Sequence, residues 1–312
     1  MSKGILLVGE PMGLFIAQTK GPLETVEGYS MAVAGAEFNV AVGLARLEHK
    51  VSYLTKLGND PFGKLIVNVL NKNKIGNEFV SYSDTNSTGF MLKSRVDEGD
   101  PEIFYFRRNS AASTLSPNDL EHVDFHNYGM LHLTGIFPAL SETTSKSVFA
   151  LIKKAREHGL SISFDPNLRP QLWKEQKTMV DTINEIASLC DFILPGNSEG
   201  EILLGSSDPK DIGKFYLEKG AKAVFTKVGA KGCCVSTKEE HTSVAGFPVE
   251  KIVDTVGAGD GFAAGVISGI MEGMSYDEAA RRGNAIGAIQ VTSRGDNDGL
   301  PTCEELKKFM QV

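Results

Sequence analysis

The chain has 312 residues, of which 41% are hydrophobic and 23% charged, and a formal net charge of −7. That length can bury a large core, as one α/β domain with or without a small appendage, and the acidic balance argues against a nucleic-acid groove as the main business of the protein. The cysteines at 190, 233, 234 and 303 show neither CxxC nor zinc spacing, which argues against a disulfide framework and fits a reducing cytoplasm.

Taken in order, the chain opens with an apolar run at 5–8, too short for a signal or a membrane span, that reads as a buried strand. Residues 12–33 then show strand-like alternation around a turn at Lys20-Gly21-Pro22, followed by a helical pattern at 36–48, a strand at 51–54 and a helix at 61–74. A second alternating stretch occupies 88–108, with a turn at Glu98-Gly99-Asp100-Pro101. Beyond it, strands at 130–134, 161–164, 191–194 and 222–226 alternate with helices at 142–158, 174–188, 209–219 and 276–292. This βα alternation predicts an α/β fold, a doubly wound and mainly parallel sheet flanked by helices. The two ribbons interrupt that rhythm and are expected to join as a small β-sheet beside the main domain. The expected division is therefore 1–11, 34–87 and 109–312 for the α/β domain, with 12–33 and 88–108 for the small sheet.

The most informative stretch is Asp254-Thr255-Val256-Gly257-Ala258-Gly259-Asp260, which opens into the small-residue helical run Gly261–Ile270. Glycines at 257 and 259 let backbone amides face outward at the positive end of a helix dipole, a site suited to phosphate oxygens. A carboxylate inside an anion site would repel a phosphate in simple binding. It makes sense if Asp260 accepts the proton of an attacking hydroxyl during phosphoryl transfer. A glycine-rich turn with Asp260 as a helix cap fits the bare spacing equally well.

The stretch 254–260 resembles the second signature of the ribokinase-like carbohydrate kinases, the phosphofructokinase-B family, and residues 34–63 resemble its first, with Ala34 in place of a glycine. Gly295–Thr302 fits the family's closing segment, so the resemblance spans nearly the whole chain. It implies a kinase using ATP and Mg2+, with Asp260 as general base and the amides of Gly257, Ala258, Gly259 and Asp260 as anion hole. Lys227-Val228-Gly229-Ala230-Lys231-Gly232 resembles the family's loop over the ATP phosphates, although a hairpin turn fits the same residues. Ser198 and Glu201 fall in the family's Asn-x-x-Glu segment, with serine replacing asparagine, and Glu201 is implied as a water-mediated magnesium contact. Asn284 falls on the helix that lines the family's adenine pocket. The resemblance also implies a monovalent cation, K+ in relatives, near Asp254, Thr255, Ser293 and Gly295, although an ordinary loop fits the same residues equally well. The small sheet is implied to be a lid over the sugar and a contact between the subunits of a homodimer or higher homo-oligomer.

Two arginines bear on the sugar. Tyr105 and Arg107 lie two apart, on one face of a strand, and Asn167 and Arg169 follow a strand end where open α/β sheets bind ligands. A planar guanidinium matches a carboxylate, so their convergence points to a small-molecule sugar acid. These stretches, with the run Asp97–Glu102, resemble the 2-keto-3-deoxygluconate kinase branch of the family, where Gly35, Ala36 and Asn39 hold the sugar hydroxyls. A fructokinase would share the machinery without needing the carboxylate clamp. A sugar sensor that keeps the fold without catalysis is the reading from a different class. The expected location is the cytoplasm, with no nucleic-acid or membrane partner.

Overall fold

The computed structural model of the chain describes residues 3–96 and 101–311. The expected turn residues Glu98, Gly99 and Asp100 lie outside them, as does Asp97.

In chain order, β1 (Gly4–Val8), β2 (Met12–Ala17) and β3 (Tyr29–Ala34) precede α1 (Ala36–Arg46), β4 (Val51–Gly58), α2 (Pro61–Lys72) and β5 (Gly76–Ser83). Next come β6 (Phe90–Lys93), β7 (Ile103–Phe106), β8 (Tyr128–Thr134), α3 (Glu142–Glu157), β9 (Ser161–Asp165), α4 (Gln176–Ser188) and β10 (Phe192–Ile193). The chain continues through α5 (Asn197–Leu204), α6 (Pro209–Glu218), β11 (Ala223–Lys227), β12 (Gly232–Ser236) and β13 (His241–Ala245). It closes with α7 (Ala258–Met271), α8 (Tyr276–Gln290) and α9 (Cys303–Met310).

Among the described residues, nine strands form one sheet in the order β13-β12-β11-β10-β9-β8-β1-β4-β5, parallel from β11 to β5 and antiparallel at β11–β12 and β12–β13. The alternation within β1 shows why both faces are covered. Ile5 and Leu7 belong to a core with α1 and α7, whereas Leu6 and Val8 belong to a second core with α3 and α4. A strand buried on both faces reads as a continuous apolar run, which is how the sequence announced these strands. β5, β12, β13, α5 and α9 were not among the expected elements. β5 and β13 are sheet edges with mixed burial, so their sequences lack that run.

Four strands form a second sheet, β3-β2-β6-β7, in which two antiparallel ribbons join through the parallel β2–β6 pairing. Its register divides the side chains. Phe15, Met31, Leu92 and Phe104 share one row, and Phe90 and Phe106 pair on the same face. Met91, Lys93, Ile103 and Tyr105 take the opposite face, and three of these, Met91, Ile103 and Tyr105, line a cavity between the two sheets. All four cysteines are free, and no described helix is long and apolar enough to cross a membrane.

Candidate active site

The order of the main sheet reverses between β1 and β8, since β1 continues to β4 on one side and meets β8 on the other. Ligands of open α/β sheets bind outside the carboxyl ends of the strands near such a point. A cavity of about 610 Å³ lies there, lined by Glu10 after β1, Asp165 at the end of β9, Lys227 at the end of β11 and the inner face of the second sheet.

Two helices aim their first turns into this cavity. Helix α1 begins after Gly35, whose φ of +142° lies in a region L side chains rarely adopt, and a Cβ there would meet the Glu10 carbonyl at 2.7 Å. Helix α7 begins after Gly257 (φ +81°), where a Cβ would lie 2.2 Å from the Asp296 carbonyl. The two helices meet at the site itself, because Asn39 Nδ2 donates to Asp260 Oδ2 at 2.7 Å. Asn39 is oriented in turn by Asn297 Nδ2, which donates to Asn39 Oδ1 at 2.9 Å. Burial pushes the Asp260 carboxyl up to about 7, against the lowering effect of the Asn39 hydrogen bond. A group poised near neutrality can exchange a proton at working pH.

Gly257, Gly259, Asp260 and Thr255 line the cavity, and Ala258 does not. The Ala258 amide is engaged with the Thr255 carbonyl at 3.3 Å.

Lys227 Nζ donates to Asp165 Oδ2 at 2.6 Å. Burial works against the Lys227 ammonium, but Asp165 and Glu199 outweigh it and keep the lysine charged. The residues from Lys227 to Gly232 connect β11 to antiparallel β12 as a hairpin, with Gly229 at φ +61° and Gly232 at φ +103°. Neither glycine lines this cavity. Asn284 donates to the Val244 and Ala245 carbonyls at 3.0 and 3.1 Å, tying α8 to β13.

At the start of α5, Ser198 lines the cavity and Glu201 does not; Glu201 is exposed. The acid that faces the cavity is Glu199, which sequence reasoning passed over. Its carboxylate accepts from Gly196 N (2.6 Å) and Leu168 N (2.8 Å), pinning the segment that carries Asn167 and Arg169. Asn167 has a φ of +39°, a costly backbone state for a non-glycine residue and one that recurs at ligand sites. Both Asn167 and Arg169 line the cavity. Among the described residues, no group of three or more His, Cys, Asp or Glu side chains is placed to hold a metal.

The two arginines differ in their partners. Arg107 Nε and Nη2 both reach Glu10 Oε2, at 2.6 and 2.5 Å, with the arginine side chain 9% exposed and the glutamate 1%. Among the described residues, no carboxylate comes within ion-pair distance of Arg169, whose Nη1 donates to the Leu168 carbonyl at 2.9 Å. Tyr105 lies beside Arg107, its ring centre 5.8 Å from the guanidinium carbon. Glu10 and Glu37 were both missed in the sequence. Glu37, in the first turn of α1, accepts from Thr134 Oγ1 at 2.5 Å, and burial pushes it up to about 7. The signal for each was an acid set in apolar surroundings at a strand end or a helix start.

The fold belongs to the ribokinase-like class of doubly wound α/β proteins, with a sheet-bounded cavity at the carboxyl ends of its strands. The model of the pfkB family carbohydrate kinases matches residues 2–303, and the chain belongs to that family. A 2-dehydro-3-deoxygluconokinase of Bacillus subtilis (strain 168) is 48% identical over 97% of this chain and 94% of its own length. The crystal structure of a PfkB protein from Polaromonas sp. JS666 superposes with a TM-score of 0.90 at 41% identity, covering 98% of this chain and 99% of that one. A putative ribokinase II of E. coli in complex with ATP and Mg2+ gives a TM-score of 0.90 at 26% identity, over 99% of both chains.

Proposed function

We propose that this carbohydrate kinase transfers the γ-phosphoryl group of ATP to the primary 6-hydroxyl of 2-keto-3-deoxy-D-gluconate, as a 2-dehydro-3-deoxygluconokinase. The observation that carries the reading is Arg169, a cavity-lining cation with no carboxylate within ion-pair distance among the described residues, in the same cavity as the buried carboxylate of Asp260. The first can take a substrate carboxylate and the second a hydroxyl proton. The 48% identity to the B. subtilis kinase, over nearly the whole of both chains, supports the same sugar.

In the proposed reaction Asp260 accepts the O6 proton as the O6–Pγ bond forms and the bond from Pγ to the β–γ bridging oxygen breaks, releasing ADP. Amides of Gly257, Gly259 and Asp260, at the N-terminus of α7, face the charge that gathers on the moving phosphoryl group. Gly35, Ala36, Asn39 and Asn167 contact the sugar hydroxyls, and Tyr105 with Arg107 closes the far end. Arg107 is already neutralised by Glu10, so the carboxylate contact falls chiefly to Arg169. Ser198, Lys227, Gly229, Gly232 and Asn284 are assigned to the nucleotide. Mg2+ bound with the nucleotide phosphates would neutralise their oxygens. Glu199, an acid at the cavity wall, would suit its water shell better than the exposed Glu201.

The second sheet acts in this reading as a lid over the sugar. Its outer face bears Met31, Phe104 and Phe106, which are 61%, 50% and 51% exposed. A contiguous apolar face of this kind suits a homodimer contact. The decisive assay is ADP release with Mg-ATP and 2-keto-3-deoxygluconate, fructose, ribose or no sugar. Turnover on the sugar acid alone supports the proposal. Preference for fructose would keep the machinery and discard the carboxylate clamp. Sugar binding without ADP release would mark a sensor.

A further inference from the structure

The family resemblance implied a monovalent cation beside Asp254, Thr255, Ser293 and Gly295, yet the chain's own donors already occupy much of that neighbourhood. Lys93, on the inner face of β6, places Nζ 2.7 Å from Asp254 Oδ2 and 2.9 Å from Asp296 Oδ1, with its side chain 4% exposed. The other oxygen of Asp254 accepts from Val256 N at 3.0 Å. The Gly295 carbonyl accepts from Gln290 Nε2 at 2.9 Å, and the same amide reaches the Val256 carbonyl at 3.3 Å. A metal cation held by these oxygens would have to displace N–H donors and sit against a buried ammonium, which like-charge repulsion in a poorly solvated setting opposes.

We propose that Lys93 is a built-in monovalent cation. Its ammonium bridges Asp254, at the start of the 254–260 turn, and Asp296, whose carbonyl packs where Gly257 lacks a Cβ. The lysine thus holds the turn that opens α7 without help from K+. Because Lys93 belongs to the second sheet, it also fastens that sheet to the turn. Burial opposes charge on Lys93, but the Asp296 and Asp254 carboxylates outweigh it and raise its affinity for a proton, so it stays an ammonium. The consequence for turnover rests on the proposed role of that turn; the cation site itself does not.

The test compares wild type with Lys93→Met in potassium chloride and in tetramethylammonium chloride at equal ionic strength. Thermal unfolding of the ligand-free chain is read beside steady-state ADP release. Wild type should show the same unfolding midpoint and the same kcat in both salts. In tetramethylammonium, Lys93→Met should lose kcat by about 10²-fold, the scale of losing one preorganised charge-stabilising donor. Potassium should restore part of that kcat and raise the variant's unfolding midpoint, a rescue that a purely structural lysine would not allow. Potassium activation or stabilisation of the wild type overturns the proposal, and so does a Lys93→Met protein indifferent to potassium. Should that variant fail to fold, wild type decides alone: indifference to potassium sustains the proposal and dependence ends it. Absence of ADP release on any sugar would defeat the proposed function, while the unfolding comparison would still decide the role of Lys93.

Discussion

Asn39 donates a 2.7 Å hydrogen bond to Asp260 across 221 residues of chain, joining the first turns of α1 and α7 at the floor of the cavity. The contact favours the charged form of Asp260 while burial favours the neutral form, and burial prevails, leaving the group near 7. A carboxylate held there is a stronger base than one exposed to water, and a value near neutrality lets it exchange a proton at working pH.

Asp260→Asn should fold and bind both substrates but lose about 10²–10⁴-fold in kcat, the usual contribution of a positioned general base. ADP release under saturating substrates measures it. Turnover near the wild-type value would remove Asp260 from the mechanism.

The pH profile carries a sign. A base must be ionised, so kcat/KM should rise with pH through about 7 and level off above it. Asn39→Ala removes a hydrogen bond that lowers the Asp260 value, so the rising limb should move to higher pH. A limb that stays in place after that substitution would show that another group controls it.

Stability should run the other way. Asp260 and Glu37 start from ordinary values of 3.8 and 4.5 and are both pushed up to about 7 in the fold. Between those values the folded state binds more protons than the unfolded one. The stabilisation from these two groups is therefore complete in acid and is lost as pH rises through about 7. Asp260→Asn removes one buried ionisation and should flatten that decline. Urea unfolding at a series of pH values between about 4 and 7 tests this, and an equal slope in both proteins would contradict it.

The two arginines should separate by phenotype. Arg169→Ala should weaken sugar-acid binding by about 1.5–3 kcal/mol, the worth of a hydrogen bond to a charged group, and leave stability little changed. Arg107→Ala strands Glu10, which is 2% exposed, and should destabilise the fold by about 3–5 kcal/mol, as breaking a buried ion pair does. Calorimetric titration with the sugar acid, set beside thermal unfolding, distinguishes the two. Equal losses of binding with no loss of stability would mean that Arg107 also serves the substrate directly.

The strands β1, β4, β8, β9, β10 and β11 of the main sheet were legible because burial on both faces writes itself as an apolar run. The inner and outer faces of the second sheet were legible as alternation at 12–33 and 88–108. The edges β5 and β13 were not, since a partly exposed strand carries no such run. At the cavity, Asp260, Asn39, Asn167 and Arg169 stood in recognisable local patterns, and the fold brings all four to one cavity. Glu199 was passed over for Glu201 because both sit in the same helical turn, and only the path of the chain before α5 decides which one faces inward.

What the sequence by itself determined is local: the βα rhythm, the glycines that admit left-handed backbone, and the acid at the start of α7. Each depends on neighbours within a few residues, through periodicity or backbone sterics. Only the tertiary structure decided the partners: Glu10 for Arg107, Asp165 for Lys227, Asn39 for Asp260 and the two acids for Lys93. Those contacts join residues 62 to 221 positions apart. Their charge states follow from burial and from neighbours that only packing assembles, and no local pattern encodes them.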